Sequence, residues 1–297
     1  MKHTVLIVNP NAGDGSLLST IDEILLRFRR AGMSVSFHQT ARPGEGAQIV
    51  RAEAENADLI VVGGGDGTLA EMVNALAPLP RRPHMAILPG GTCNDFSRTL
   101  GISQDPMEAA EQILSGRERS VDVGFDGRSY FLNFWGIGLI TEVSSDIDPK
   151  EKERFGRLAY YFNALKHAVN PTPFTLHLEA DDVSYHGPAQ LLIAGNGAYL
   201  GGYRTFFPTS RVDDGLMDVF LVKDASFDSL WSWLRSHWAG KPPEGEDVLY
   251  FRTHQMHVET SSPQLIDCDG EKKGTTPATL SVFPDHLTML VGKQHTF

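Results

Sequence analysis

Apolar residues recur along the first part of the chain in two alternating rhythms. Residues 4–8 form a short apolar run. Leu17, Leu18, Ile21, Ile24, Leu25 and Phe28 then follow at helical spacing, and Gly32 ends that helix. Residues 35–39 read as a second strand, 45–56 as a second helix and 59–62 as a third strand. Leu69, Met72, Val73 and Leu76 share one helical face. Residues 85–88 form a fourth strand, with another helix after it. This βαβα order predicts a parallel sheet with helices on both faces. Such sheets bind ligands at the carboxyl ends of their strands, where Asn9, Gly65, Asp66 and residues 90–95 fall.

Beyond about Arg119 the period shortens. Residues 121–125 and 130–138 flank Asp126-Gly127, a hairpin signal. Residues 174–179 and 184–194 flank a turn at Asp181-Asp182. Residues 217–222, 248–259, 264–267, 279–283 and 287–291 read as further strands. Only residues 154–169 and 227–238 look helical. The expectation is an α/β domain over residues 1–120 and a mostly antiparallel β domain, a sandwich, over 121–297. The last strand is free to return to the first domain. The active site is expected in the cleft between domains, a common location for ligand sites.

The run Leu59-Ile-Val-Val-Gly-Gly-Gly-Asp66-Gly-Thr68 carries the most specific chemistry. A buried strand ends in glycines and a helix begins. Glycines let backbone approach an anion, and amides at the helix start point towards it. Asp66 adds a carboxylate that can hold Mg²⁺ beside phosphates. The run lacks the Gly-Lys-Ser/Thr of a P-loop and a dinucleotide fingerprint. Gly91-Thr92-Cys93-Asn94-Asp95-Phe96 is a second such element. Thr92 offers a hydroxyl to phosphate or metal-bound water, and Asn94 or Asp95 can cap the next helix.

Gly64-Gly65-Asp66-Gly67-Thr68 resembles the nucleotide signature of the diacylglycerol kinase catalytic family, which includes soluble bacterial lipid kinases and the sphingosine and ceramide kinases. The short motif also occurs in NAD kinases and phosphofructokinases, so the resemblance implies a first domain of that fold. Asn9-Pro10-Asn11-Ala12-Gly13 is similar to the family's opening Asn-Pro-x-x-Gly, though alone it is a common turn. Thr40, ahead of Gly44-Glu-Gly-Ala47, matches a threonine that contacts nucleotide in the family. The string from Gly91 resembles Gly-Thr-x-Asn-Asp-Phe, in which the threonine touches nucleotide and the Asn-Asp pair organises the loop. The resemblance thus implies nucleotide contacts from Asn9, Pro10, Gly13, Thr40, Gly64 to Thr68, Thr92, Asn94 and Asp95.

Three acidic segments extend the likeness. Asp122-Val-Gly is either a strand-end turn or the family's aspartate near the metal. Arg211-Val-Asp-Asp214-Gly-Leu216 reads as a solvated turn on sequence alone. The resemblance implies a structural Mg²⁺ on the Asp214 carboxylate and the backbone carbonyls of Arg211 and Leu216. Asp269-Gly-Glu271 is similar to the family's Asp-Gly-Glu. That likeness makes Asp269 the base for the acceptor hydroxyl and puts Glu271 in its network. Asp267, two residues earlier on the same expected strand face, competes for that role. Residues 195–202, rich in glycine, match a lipid-domain segment and equally a bulged strand. The stretch from Lys150 to Arg157 precedes an amphipathic segment that either faces a membrane or packs on the β domain. One departure is Ala70, where the family usually carries Asn.

Composition sets limits. The chain has 297 residues, 41% hydrophobic and 21% charged, as in an ordinary soluble protein. No uncharged apolar run approaches the roughly 20 residues of a membrane span. The N-terminus reads as a first strand and not a signal peptide. A cytoplasmic protein is expected. A net charge of −11 argues against sequence-independent nucleic-acid binding. Cys93 and Cys268 are too few for a disulfide scaffold. Cys93, in a loop expected to admit nucleotide, is anticipated as the more accessible thiol, unless both are buried.

The resemblance implies an ATP- and Mg²⁺-dependent lipid kinase, a peripheral visitor to the inner face of the membrane, compatible with a homodimer. Its first acceptor is diacylglycerol. The alternatives are another lipid or polyol acceptor (a sphingoid base, phosphatidylglycerol) or a non-catalytic nucleotide- or lipid-binding regulator.

Overall fold

The computed structural model describes residues 3–143, 173–202, 204, 207, 210–223 and 245–292. The helices read at 154–169 and 227–238, and the basic stretch before the first, lie outside the described residues. The chain forms two compact units, Met1–Val121 with Asp285–Phe297, and Asp122–Pro284.

The first unit carries β1 (His3–Val8), α1 (Ser16–Arg30), β2 (Ser34–Gln39), α2 (Glu45–Glu53), β3 (Leu59–Gly64), α3 (Asp66–Leu76), β4 (His84–Pro89), α4 (Asp95–Thr99) and α5 (Pro106–Leu114). β5 (Glu118–Phe125) leads out of it. The second unit carries β6 (Tyr130–Phe131), β7 (Phe134–Gly138), α6 (Leu139–Val143), β8 (Phe174–Ala180), β9 (Ser184–Ala189), β10 (Leu191–Gly195) and β11 (Met217–Val222). It continues with β12 (Val248–Thr253), β13 (Gln255–Thr260), β14 (Leu265–Cys268), β15 (Glu271–Thr275) and β16 (Ala278–Leu290), the end of which belongs to the first unit.

In the first unit the strands run parallel in the order β2-β1-β3-β4, and the end of β16 lies beside β4, with Met289 opposite Met85. The apolar runs of β1, β3 and β4 are buried throughout, as parallel strands covered on both faces must be. β2 is the edge, and all its positions are exposed or half-buried. The helix α5 went unread in the sequence, although Asp105-Pro106 carries an N-cap and first-turn proline. Asp105 Oδ1 accepts from the amides of Met107 and Glu108, both at 2.9 Å.

The second unit is an antiparallel sandwich. One sheet has the order β16-β13-β8-β9 and the other β12-β11-β10-β7-β14-β15. Phe174, Leu176 and Leu178 of β8 and Met256 and Val258 of β13 share one buried core with Trp135, Val219 and Ile266 of the second sheet. The intervening Thr175, His177, Glu179, His257 and Glu259 are exposed, which is the period of a half-buried strand.

Two long strands of the sequence reading are each broken at a single residue. Residues 184–194 become β9 and β10, and residues 248–259 become β12 and β13. The two parts lie in different sheets in both cases. Hydrophobic alternation does not reveal such corners, because the pattern resumes on the far side. Residues 130–138 likewise divide into β6 and β7. Conversely, 279–283 and 287–291 are one strand, β16, carried past Pro284 by a left-handed Asp285 at φ +50°.

At the β12–β13 corner, Asp181 Oδ2 accepts from the Thr253 hydroxyl at 2.6 Å and the His254 amide at 2.9 Å, and pairs with His254 Nδ1 at 2.7 Å. Desolvation pushes the Asp181 carboxyl up, but the Thr253 hydroxyl and His254 amide outweigh it, so it titrates below its ordinary value. A carboxylate depressed in the folded state contributes stability above its unfolded pKa and loses it as pH falls through the folded value. Asp181→Ala should therefore cost roughly 1–3 kcal/mol in chemical denaturation near neutral pH. The difference from wild type should narrow under acid. A gap that widens as pH falls would contradict this reading of the corner.

Candidate functional site

Four loops leave the carboxyl ends of β1, β2, β3 and β4, and the backbone ladder runs on into them. The Asn9 amide donates to Gly63 O at 2.9 Å, Gly90 to Gly64 O at 2.9 Å and Thr40 to Val8 O at 3.0 Å. The loops then approach closer than side chains permit. A β-carbon on Gly91 would lie 2.5 Å from the Gly65 Cα, and one on Gly13, at φ +61°, would lie 2.1 Å from the Gly90 carbonyl oxygen. Glycine at these positions is first a packing requirement of the loops on one another.

Gly65 is the N-cap of α3, in extended conformation and with no side-chain cap. The first-turn amides of Asp66, Gly67 and Thr68 have no intrahelical partner by geometry. Asp66 is half-buried, and its Oδ1 accepts from the Phe96 amide of α4 at 3.3 Å. Asn9 Nδ2 donates to the Thr68 hydroxyl at 3.0 Å, while its Oδ1 holds the Asn11 amide at 3.0 Å. Glu71 of α3 accepts from the amides of Ala47 at 3.0 Å and Gly44 at 3.2 Å, which ties in the loop after Thr40. Thr92 is exposed, whereas Asn94 and Asp95 are buried. Asn94, left-handed at φ +52°, closes its own loop by accepting from the Gly91 amide at 2.9 Å and donating to the Gly91 carbonyl at 2.8 Å. Asn9, Gly13, Thr40, Gly64 to Thr68, Asn94 and Asp95 are thus brought into one set of linked loops. Ala70 is buried on α3. Cys93 is only 5% exposed and Cys268 1%, so the expected accessible thiol in the loop is not found. Burial, with the Asp269 and Asp126 carboxylates adding to it, pushes the Cys268 thiol well above its usual range.

In the second unit, Asp269 and Gly270 form the two-residue turn between β14 and β15, both at positive φ (+52° and +86°). The Asp269 carboxylate reaches back over the β6–β7 connection. Its Oδ2 accepts from Leu132 N at 2.8 Å, and its Oδ1 from Asn133 N and Phe134 N at 2.9 Å. Several amide donors on one carboxylate stabilise its charged form. Asp267, fully buried on β14, supports the turn by accepting from the Gly270 amide at 2.8 Å. The turn breaks the strand alternation on which the competition between Asp267 and Asp269 was based. Glu271 is exposed and pairs with Lys273 at 3.4 Å.

Asp122 is buried. Its amide donates to Val212 O and its Oδ2 accepts from Gly215 N, both at 2.6 Å, so it is tied to the Asp214 turn. Asn196, which the sequence reading passed over inside its glycine segment, joins these pieces. It is fully buried, and its Nδ2 donates to Asp122 O at 3.1 Å and Leu132 O at 3.0 Å. The signal available was an amide between two glycines at the end of an apolar run. Gly195 itself admits the Phe207 ring, 2.1 Å from where a β-carbon would stand.

The proposed structural Mg²⁺ turn also holds a residue that the sequence did not single out. Asp214 Oδ1 accepts from the Leu216 amide at 3.1 Å, and Oδ2 pairs with the Arg252 guanidinium. Arg252 Nε lies 3.6 Å from Asp218 Oδ1, which also takes the Tyr250 hydroxyl. Burial raises Asp218 above the usual carboxylate range, against the Tyr250 hydrogen bond and the Arg252 charge. Arg211 is engaged by Asp213 at 3.0 and 3.2 Å. Among the described residues no three carboxylates, imidazoles or thiolates converge on a metal position. The Asp214 carboxylate expected to hold a structural Mg²⁺ is engaged by a guanidinium, so an ion at this turn would compete with Arg252 for it.

The comparisons with known proteins cover the whole of this framework. The family profile "Diacylglycerol kinase catalytic domain" matches residues 3–125, and "YegS C-terminal NAD kinase beta sandwich-like domain" matches residues 138–291. The diacylglycerol kinase of Bacillus subtilis (strain 168) is 30% identical over 99% of this chain and 98% of its own length. That of Staphylococcus carnosus (strain TM300) is 29% identical over 98% and 96%. A crystal structure of a diacylglycerol kinase from Bacillus anthracis str. Sterne is 37% identical, with a TM-score of 0.87 over 98% of this chain and 97% of that one.

Two outcomes follow from the geometry. In Asp269→Asn one amide oxygen can serve Asn133 and Phe134, but the NH₂ then faces the Leu132 N–H donor to donor. The variant should lose roughly 1–3 kcal/mol of stability without any substrate present. Unfolding at the wild-type midpoint would show that the three-amide clamp is not as described. Arg252→Gln should lower stability by roughly 1 kcal/mol, because the guanidinium is exposed and only Asp218 of its two carboxylate partners is fully buried. The wild-type melting temperature without nucleotide should not rise with Mg²⁺. A clear Mg²⁺-dependent rise would show that the ion displaces Arg252 from Asp214.

Proposed function

Because the chain belongs to the diacylglycerol kinase catalytic-domain family and is a lipid kinase, we propose that it transfers the γ-phosphoryl group of ATP to a lipid hydroxyl, with diacylglycerol as acceptor and phosphatidic acid as product. The observation that carries this reading is the uncapped start of α3, framed by side-chain-free loops and carrying Asp66 at its first position. That arrangement suits a polyphosphate chemically.

In this reading the first-turn amides of α3 and the Thr92 hydroxyl bind phosphate oxygens. Thr68 keeps its hydroxyl oriented by Asn9. Asp66 fits a Mg²⁺ shared with the nucleotide, since that ion needs only one or two protein carboxylates beside substrate phosphates. When bound it spreads the charge of the transferring group. Asp269, oriented by its amide clamp, accepts the proton of the lipid hydroxyl. Asp122 holds the backbone behind it through Asn196 and the 212–215 turn. In this reading Asp122 supports that backbone beside the site.

None of the described helices is long and apolar enough to cross a membrane. We place the enzyme in the cytoplasm, visiting the inner membrane face for its substrate, with no nucleic-acid partner. A homodimer is compatible with this. Another acceptor, such as a sphingoid base or phosphatidylglycerol, would use the same residues. A regulator without catalysis is disfavoured because Asp66 and Asp269 are both present.

The test is turnover of labelled Mg·ATP by the purified chain with mixed micelles of diacylglycerol, sphingosine, ceramide or phosphatidylglycerol. Phosphatidic acid should dominate, and Asp66→Ala should reduce kcat/KM for Mg·ATP by roughly 10²–10³-fold, several kcal/mol of lost charge stabilisation. Faster phosphorylation of another lipid would reassign the acceptor. Transfer to none of the panel would contradict the proposal.

A further inference from the structure

The loop between β4 and α4 takes its shape from Asn94, and Asn94 does not act alone. Its Nδ2 donates to Gln104 Oε1 at 3.1 Å. Gln104 Nε2 in turn donates to the Ser97 hydroxyl at 3.0 Å and the Ile102 carbonyl at 3.1 Å. Ser97 Oγ completes the ring by donating to the Asn94 carbonyl at 2.8 Å. This pattern fixes the Gln104 amide orientation. A flipped amide would set its NH₂ against that of Asn94 and its oxygen against the Ile102 carbonyl.

Gln104 is itself delivered from an anchored segment. On one side the Ser103 amide donates to Gln112 Oε1 of α5 at 2.8 Å. On the other, Asp105 caps α5 through the amides of Met107 and Glu108. The chain of support therefore runs from α5 through Gln104 to Asn94, from Asn94 to Gly91, and from Gly91 to the Gly65 backbone against which it packs. Gly65 is the N-cap of α3. Asn94 is left-handed, a conformation that a non-glycine residue keeps only when its surroundings hold it there.

We propose that Gln104, ten residues beyond Asn94, is a positioning residue for nucleotide binding, acting by holding Asn94 and so the Gly91–Gly65 contact that frames the α3 amides. This rests on the reading of that loop as the ATP site. Gln104 touches no reacting atom, so its removal should weaken nucleotide binding and leave the chemical step alone.

The test measures the dissociation constant of Mg·ATP by calorimetry, with kcat alongside, for wild type, Gln104→Met, Asn94→Gly and the double variant. Asn94→Gly removes the side chain and tolerates the left-handed backbone. Gln104→Met should raise the dissociation constant about 5-fold, the equivalent of one hydrogen bond of about 1 kcal/mol. Its kcat at saturating ATP should stay within about 2-fold of wild type. In the Asn94→Gly background the Gln104 substitution should add little, because both act through one contact. Gln104→Ala should behave as Gln104→Met does, which covers misfitting of the longer side chain. An unchanged dissociation constant in both Gln104 variants, or a full additive loss in the double variant, would overturn the proposal. If wild type binds Mg·ATP and only the Gln104 effects are missing, the positioning role alone fails. If wild type binds none, the nucleotide reading fails first.

Discussion

Backbone-to-backbone contact among the loops at the strand ends of the first unit is the constraint on which the rest of that unit depends. Gly13 meets Gly90, and Gly91 meets Gly65, at separations that exclude even a methyl group. The parallel register of β1, β3 and β4 brings these glycines to the same level. Their packing leaves the start of α3 uncapped by any side chain. The polar residues around the loops then have one role in common. Asn9, Glu71, Asn94 and Gln104 each hold backbone or a neighbouring side chain in place. The candidate nucleotide site is thus a set of backbone donors held by side chains, more than a set of side chains pointing at a ligand.

The second unit solves a different problem, the placement of a buried carboxylate. A type of turn that requires two positive φ values swings Asp269 out of the strand alternation and over the amides of residues 132–134. Asn196 then fastens the Leu132 carbonyl to that of Asp122. A charge in a sandwich core is costly unless hydrogen-bonded. The amide clamp meets that cost and fixes the carboxylate geometry with the same bonds. Arg252 pairs with the half-buried Asp214 and offsets only part of the burial cost at Asp218.

Much of this was legible in the sequence. Periodicity located the four parallel strands, and Gly64 to Thr68 and Gly91 to Phe96 announced the loops. Residue spacing could not show where the β chain changes sheet, because Gln190 and His254 are single residues within continuous patterns. Nor could it show partners distant in sequence. Gln104 is ten residues from Asn94, Asn196 is more than 60 from Leu132, and Arg252 is 38 from Asp214. Cys93 illustrates the reverse error, since membership of a loop suggested access while the side chain is turned inward.

The central claim is that the backbone donors at the start of α3 and the loop beside them receive the nucleotide. Amide hydrogen exchange with and without a non-hydrolysable Mg·ATP analogue measures this directly. The account predicts slowed exchange at residues 65–68 and 91–95, with no change at residues 132–134 from nucleotide alone. Binding that slows exchange elsewhere and leaves residues 65–68 as they were would contradict it.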